Sequence, residues 1–258
     1  VPGFAGGDRV EIGLPAVQKE LIAQVVATGK PVVLVLMNGS ALAVPEEAES
    51  VPAILEAWYP GQAAGTAIAD VLFGEYNPAG RLPVTFYRSV DQLPPFDDYA
   101  MQGRTYRYFR GDPLFPFGHG LSYTTFTYGH LELPEEVRTG EEVTVSVTVG
   151  NTGDHAGEEV VQLYVTDVEA SAPVPIRSLA GVERIHLEVG EVQEVTFTLT
   201  PRQLSLITDN GERIVEPGVF RVSVGGKQPG FTGVADARTT GVVVGRFEVM
   251  GEVLRLGR

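Results

Sequence analysis

The chain has 258 residues with a formal net charge of −14, and 43% of it is hydrophobic. That is enough apolar material for one large or two ordinary folded domains, and the acidic balance without a basic patch argues against nucleic acid as a partner. There is no cysteine, which excludes disulfides, thiol nucleophiles and cysteine-ligated zinc.

The first third reads as α/β. Pro15 to Thr28 places Val17, Leu21, Val25 and Val26 at helical spacing behind an opening proline, and Gly29-Lys30-Pro31 ends the pattern. Pro31 to Met37 is a continuous apolar run of strand length, as expected of a strand covered on both faces. It is the longest apolar run and far shorter than a membrane span. Asn38-Gly39-Ser40 reads as a turn, and Ala53 to Ala57 as a second strand. Gln62 to Phe73 reads as an Ala-rich helix stopped by Gly74. Helix, strand, helix or loop, strand, helix is the order of a parallel sheet with crossovers.

From Glu75 to about Thr127 periodicity disappears, and Pro, Gly, Tyr and Phe punctuate a long irregular segment. Loops of that length wrap a neighbour or serve function. From about Tyr128 the pattern becomes all-β. Val143 to Val149 alternates strictly, and further strands are expected at 159–165, 182–187, 192–199, 219–224 and 242–249. Their spacing, with turns at 151–153, 189–191, 209–211 and 217–218, predicts a β-sandwich. The absence of a cysteine pair favours the fibronectin III-like variant over the immunoglobulin one. The domain reading is an α/β part over 1–94, a linking loop over 95–127 and the sandwich over 128–258.

Several segments, in order, resemble one family. They are GGDRVEIGLPAVQKELI (6–22), VLVLMNGSALAV (33–44), AWYPGQAAGTAIADVLFGEYNPAGRLPVTFYRSVDQLP (57–94), GRTYRYF (103–109) and PLFPFGHGLSYTTF (113–126). Three more follow: VSVTVGNTGDHAGEEVVQLYV (145–165), PIRSLAGVERIHLEVGE (175–191) and VEPGVFRVSVGG (215–226). The chain is similar to the C-terminal portion of family 3 glycoside hydrolases, the β-glucosidase and β-xylosidase group. The resemblance implies a partial α/β sandwich domain followed by a fibronectin type III-like sandwich. It also implies an N-terminal (β/α)8 barrel as the missing partner of this piece, and a β-linked oligosaccharide as substrate. No cofactor, nucleic acid or membrane is implied, and a homo-oligomer stays open.

Retaining glycoside hydrolysis uses two carboxylates about 5–5.5 Å apart, one as nucleophile and one as acid/base. The resemblance puts the nucleophilic Asp in the barrel. It puts the acid/base Glu in a loop shortly before the Gly-Gly-Asp-Arg segment, hence upstream of Val1. No catalytic residue is therefore expected within this chain, which reads from Val1-Pro-Gly-Phe like the middle of a longer protein, and its compartment is open. Glu11 reads as a solvated loop carboxylate. Asp8 and Arg9 match the family's Gly-Asp-Arg and are expected to support the acid/base loop through an ion pair or turn cap.

Arg104, Tyr106 and Arg107 are the candidate substrate-binding residues, because aromatic faces stack on pyranose rings and guanidinium groups bond hydroxyls. The alternative is that GRTYRYF packs the loop against the α/β domain or the missing barrel. Trp58 reads as core or interdomain packing, and Asp70 as a helix-to-loop hydrogen-bond partner. His119, His130, His155 and His186 have no ligand spacing, so no metal site is expected. Ser40 lacks a base nearby and reads as a turn residue. A non-catalytic carbohydrate- or protein-binding spacer is the alternative function.

Overall fold

A computed structural model describes residues 4–5 and 8–257. β1 (Phe4–Ala5) and β2 (Asp8–Arg9) form a short antiparallel pair. α1 (Ala16–Ala27) starts behind Pro15, whose missing N–H costs nothing at a helix start, and ends before Gly29 at φ +73°. β3 (Val33–Leu36) leads into α2 (Pro45–Ser50), β4 (Ala53–Glu56) and α3 (Ala64–Phe73). Gly74 closes α3 in the left-handed region, where a Cβ would be strained. β3 and β4 pair in parallel from Val33↔Ala53 to Leu36↔Glu56, and α2 makes the crossover.

The expected double-sided burial of the first strand is not seen. Val33 is exposed and only Leu36 is fully buried, because the parallel sheet has just two strands among the described residues. In the same way α1 buries no residue. Val17, Leu21 and Val25 are 73%, 60% and 42% exposed, so an apolar helix face lies uncovered in this chain.

The long segment after α3 is ordered by pairing with itself. Phe86 exchanges backbone hydrogen bonds with Leu114 and Phe115, and Leu82 with Gly118 and His119, at 2.7–3.2 Å. Phe86 and Leu114 then complete a small core with Leu36, Leu42 and Val44, with Trp58 and Phe115 packed against it. Between these two arms the chain forms α4 (Thr105–Tyr108).

The sandwich begins with β5 (Phe126–Glu132), β6 (Glu136–Arg138), β7 (Val143–Asn151) and β8 (Gly157–Asp167). It continues with β9 (Ser178–Leu187), β10 (Val192–Leu199), β11 (Leu206–Ile207) and β12 (Arg213–Val215). β13 (Gly218–Gly225), β14 (Val242–Met250) and β15 (Leu254–Leu256) complete it. One sheet has the order β10-β7-β5 and the other β6-β14-β13-β8-β9; β11, β12 and β15 form a small third sheet. Apart from β6, which joins β14 in parallel, the two main sheets are the three- and four-stranded layers of a fibronectin III-like sandwich.

Alternation builds its core. Val143, Val145, Val147 and Val149 of β7 face inward onto Val161, Leu163, Val222, Val224 and Phe247. β8 departs from alternation because Gln162 and Tyr164 are also buried. The long segment covers that side: the Gln162 amide donates to the carbonyls of Gly118 (3.1 Å) and Gly226 (2.9 Å).

Candidate functional site

In open α/β sheets ligands bind beyond the carboxyl ends of the parallel strands. At that end of β3 and β4 four residues converge. Asn38 Nδ2 donates to the Ser40 carbonyl (2.8 Å) and to Glu56 Oε2 (3.3 Å), and Glu56 Oε1 accepts the Trp58 N–H (3.0 Å). Burial pushes the Glu56 carboxyl above its ordinary value, against the two hydrogen bonds that lower it. Trp58 sits at φ +54°, a conformation that a bulky residue holds only when its surroundings impose it. The Glu56 carboxylate and the edge-on contact of its indole with Phe86, 6.1 Å between ring centres, are what hold it. Asn38 Oδ1 is buried without a hydrogen-bond partner among the described residues, so this rim presents an unmet acceptor.

Arg9 ties the N-terminal strand pair to this rim. Its Nη1 donates to Ser40 Oγ at 2.8 Å and its Nε to the Glu11 carbonyl at 3.2 Å. Ser40 thus receives a guanidinium that sequence reasoning did not foresee. The Asp8 backbone pairs with Ala5; its side chain lies outside the described residues, as do Gly6 and Gly7.

Arg104, Tyr106 and Arg107 lie together on and before α4, and their polar atoms engage the protein. Arg104 donates to the carbonyls of Ala100 (3.3 Å), Pro95 (2.9 Å) and Asp98 (2.7 Å), which closes its own loop. Tyr106 stacks on Phe117 at 4.3 Å, and its hydroxyl accepts the Leu179 N–H at 3.2 Å. Arg107 Nη2 donates to Ser178 Oγ at 3.3 Å, and its carbonyl accepts from Ile176 N at 2.7 Å. The loop therefore packs on β9 of the sandwich, a neighbour that the spacing of GRTYRYF does not reveal.

Trp58 packs in the small core, as its position after a strand suggested. Asp70 meets the loop through its backbone: its carbonyl accepts from Tyr76 N at 3.0 Å. Sequence reasoning passed over Glu56, because one carboxylate closing a short apolar strand carries no motif. Its signal was positional, at the end of a parallel strand. No group of three or more His, Asp or Glu side chains among the described residues could hold a metal ion, and no helix there is long and apolar enough to cross a membrane.

Comparison with known proteins gives this arrangement a context. Residues 4–123 match the glycosyl hydrolase family 3 C-terminal domain, and residues 159–228 match a fibronectin type III-like domain. A xylan 1,4-β-xylosidase of Xylanibacter ruminicola is 45% identical over 226 residues, which is 87% of this chain and 26% of that protein. A periplasmic β-glucosidase of Salmonella typhimurium is 44% identical over 256 residues, 94% of this chain and 32% of that protein. The crystal structure of a Listeria innocua β-glucosidase in complex with glucose aligns with TM-score 0.81 at 38% identity, over 96% of this chain and 35% of that one. The chain spans about a quarter to a third of the length of these relatives. Matched in order by both models and by relatives along nearly its whole length, the chain belongs to glycosyl hydrolase family 3, as the family's C-terminal domain and the fibronectin type III-like domain that follows it.

Proposed function

We propose that this chain is the C-terminal part of a retaining β-glycosidase that removes terminal β-D-glucosyl or β-D-xylosyl residues from the non-reducing ends of oligosaccharides. The observation that carries the reading is the alignment over nearly the whole chain with proteins named as a β-xylosidase and a β-glucosidase. Residues 1–94 would form part of one wall of the cleft, 95–127 the connecting loop and 128–258 the sandwich that braces it. The nucleophilic Asp would come from an N-terminal (β/α)8 barrel and the acid/base Glu from the segment before Val1. The uncovered apolar face of α1 supports this, since water would not be its partner in a complete body.

In this reading Asp8 and Arg9 support the acid/base loop, Arg9 through its bond to Ser40. Arg104, Tyr106 and Arg107 act on the sugar site through the loop they brace. Glu56, Asn38 and Trp58 form the rim beneath it.

The test is hydrolysis of aryl β-glucosides and aryl β-xylosides. A longer protein that includes the barrel is expected to turn over one or both with retained anomeric configuration, and residues 1–258 alone neither. Turnover by residues 1–258 alone would overturn the placement of the carboxylates and turn attention to Glu11, Asp8, Asp97 and Asp98. Inversion by the longer protein would overturn the mechanism.

A further inference from the structure

Between the aromatic loop and the end of the sandwich lies an open groove of about 820 Å³, which runs from Arg110 and Asp112 past Asp167 to Arg177, Arg221 and Phe231. Its charges are unbalanced in an unusual way for so acidic a chain. Arg110, Arg177 and Arg221 all line it, and none forms an ion pair among the described residues. Of its carboxylates, Asp112 is neutralised by Arg88 at 3.0 Å. Asp167 accepts the Glu169 N–H at 3.2 Å, and burial first, with the nearby Glu216 and Glu169 carboxylates, pushes its carboxyl above its ordinary value against that bond.

Arg177 is held in place. Its Nη1 donates to Gln228 Oε1 at 2.9 Å and to the Pro229 carbonyl at 3.3 Å, and its guanidinium lies 5.7 Å from the centre of the Phe231 ring. Burial first, and the like charge of Arg221 as well, pull its pKa down, while Tyr164 opposes them. Arg177 and Arg221 thus line one groove with no carboxylate paired to either among the described residues, an arrangement that an anion would complement.

The inner end of the groove carries a second unmet demand. Phe109, Ile176, Arg177 and Phe231 continue into a narrow pocket of about 20 Å³, which Thr85 also lines. That is room for about one oxygen-sized group. The Thr85 hydroxyl is buried and has no hydrogen-bond partner among the described residues. A ligand that satisfies both demands carries a carboxylate or similar anion together with hydroxyl groups. Phe109 and Phe231 offer it apolar edges.

We propose that this groove binds an acidic saccharide, a uronic-acid unit on a β-linked oligosaccharide, with its carboxylate between Arg177 and Arg221 and a sugar hydroxyl at Thr85. The anion half stands on the geometry, and the saccharide half rests on the β-glycosidase reading above.

Titration calorimetry of the 258-residue chain decides it, with three probes: a xylotetraose bearing one glucuronic-acid branch, the unbranched xylotetraose, and inorganic phosphate. The branched sugar is expected to bind at least tenfold more tightly than the other two, and to weaken as salt is raised. Arg221 is exposed on β13 and has no side-chain partner among the described residues, so Arg221→Gln is expected to leave the melting temperature unchanged. It is expected to cost the branched sugar about tenfold, the worth of one charged hydrogen bond, and the unbranched sugar nothing. Equal binding of the two sugars, or none by the branched one, overturns the proposal. Phosphate binding as tightly as the branched sugar overturns its saccharide half and leaves an anion site. The readout is binding, not turnover, so failure here leaves the β-glycosidase reading standing, and failed hydrolysis leaves the anion half of this one standing.

Discussion

Arg81, in the loop that leaves the α/β part, donates from Nη2 to Glu159 Oε2 of β8 at 2.9 Å, with side chains 6% and 0% exposed. The other carboxylate oxygen accepts from the Tyr128 hydroxyl (2.9 Å) and from Thr240 Oγ1 (3.0 Å). Arg81 spends its remaining donors on the carbonyls of Ala79, Gly80 and Gly226. The pair is thus a buried ion pair, with both carboxylate oxygens bonded, at the seam between the α/β part and the sandwich.

Removing one partner strands the other. Arg81→Met and Glu159→Leu are each expected to destabilise the chain by about 3–5 kcal/mol, because an uncompensated charge stays buried. The double variant is expected to lose less than the sum of the two. Urea denaturation of the four proteins checks this; additive losses would show that the pair is not coupled.

Gly226 leaves the space that the pair needs. A Cβ there would lie 1.7 Å from Glu159 Oε1 and 2.2 Å from Thr240 Oγ1. Gly226→Ala is expected to cost about 2 kcal/mol or more, since strain in a packed core costs roughly 1–3 kcal/mol and here a buried hydrogen bond is displaced as well. Thermal melts should show a clear drop, whereas Gly61→Ala, which has nothing within 4 Å of the added carbon, should melt near wild type.

His119 gives stability a pH dependence. Its ring packs on Phe115, and its Nδ1 is buried without a partner among the described residues. Burial is the main cause of a pKa lowered from 6.5 to about 4; Arg81 and Lys227 also lower it, and the Ala235 backbone and Asp236 oppose them. The folded state therefore binds fewer protons than the unfolded one between these values. Stability present above pH 6.5 is lost as pH falls to about 4, by up to about 3 kcal/mol. The Glu159 carboxyl, pushed up by burial against Arg81, Tyr128 and Thr240, works in the opposite sense. The test is the difference between wild type and His119→Gln, followed by denaturation at pH 7, 5.5 and 4. A constant difference would refute the assignment.

Leu21 on α1 separates this chain from the longer protein. It is 60% exposed, so Leu21→Glu is expected to change the stability of residues 1–258 by no more than about 0.5 kcal/mol. In a protein that includes the N-terminal portion the same change is expected to cost about 1.5–3 kcal/mol, the worth of burying a leucine side chain. Equal effects in both would mean that the helix face stays in water.

Much was legible in advance where period and side-chain type agree. The alternation of Val143 to Val149 became β7 with every valine buried, and Gly74 stopped α3 where its left-handed backbone allowed. The strand at 33–36 was legible, but not its exposure, which depends on how many strands flank it. β6, β12 and β15 are three residues each, too short for a period to show. The rim of Asn38, Ser40, Glu56 and Trp58 was also hidden, because side chains 18 residues apart meet only once the parallel pair has formed.

Composition, periodicity and the ordered family segments determined, by themselves, the class of both parts and the family. Local backbone preference and apolar spacing are written into the chain. Tertiary structure alone decided what the charged and aromatic residues do. Arg81 and Glu159 are 78 residues apart in sequence, and Arg177 and Arg221 lie on different segments that share one groove. Partners so distant leave no local trace, since desolvation and pairing energies arise only when folding removes the water between them.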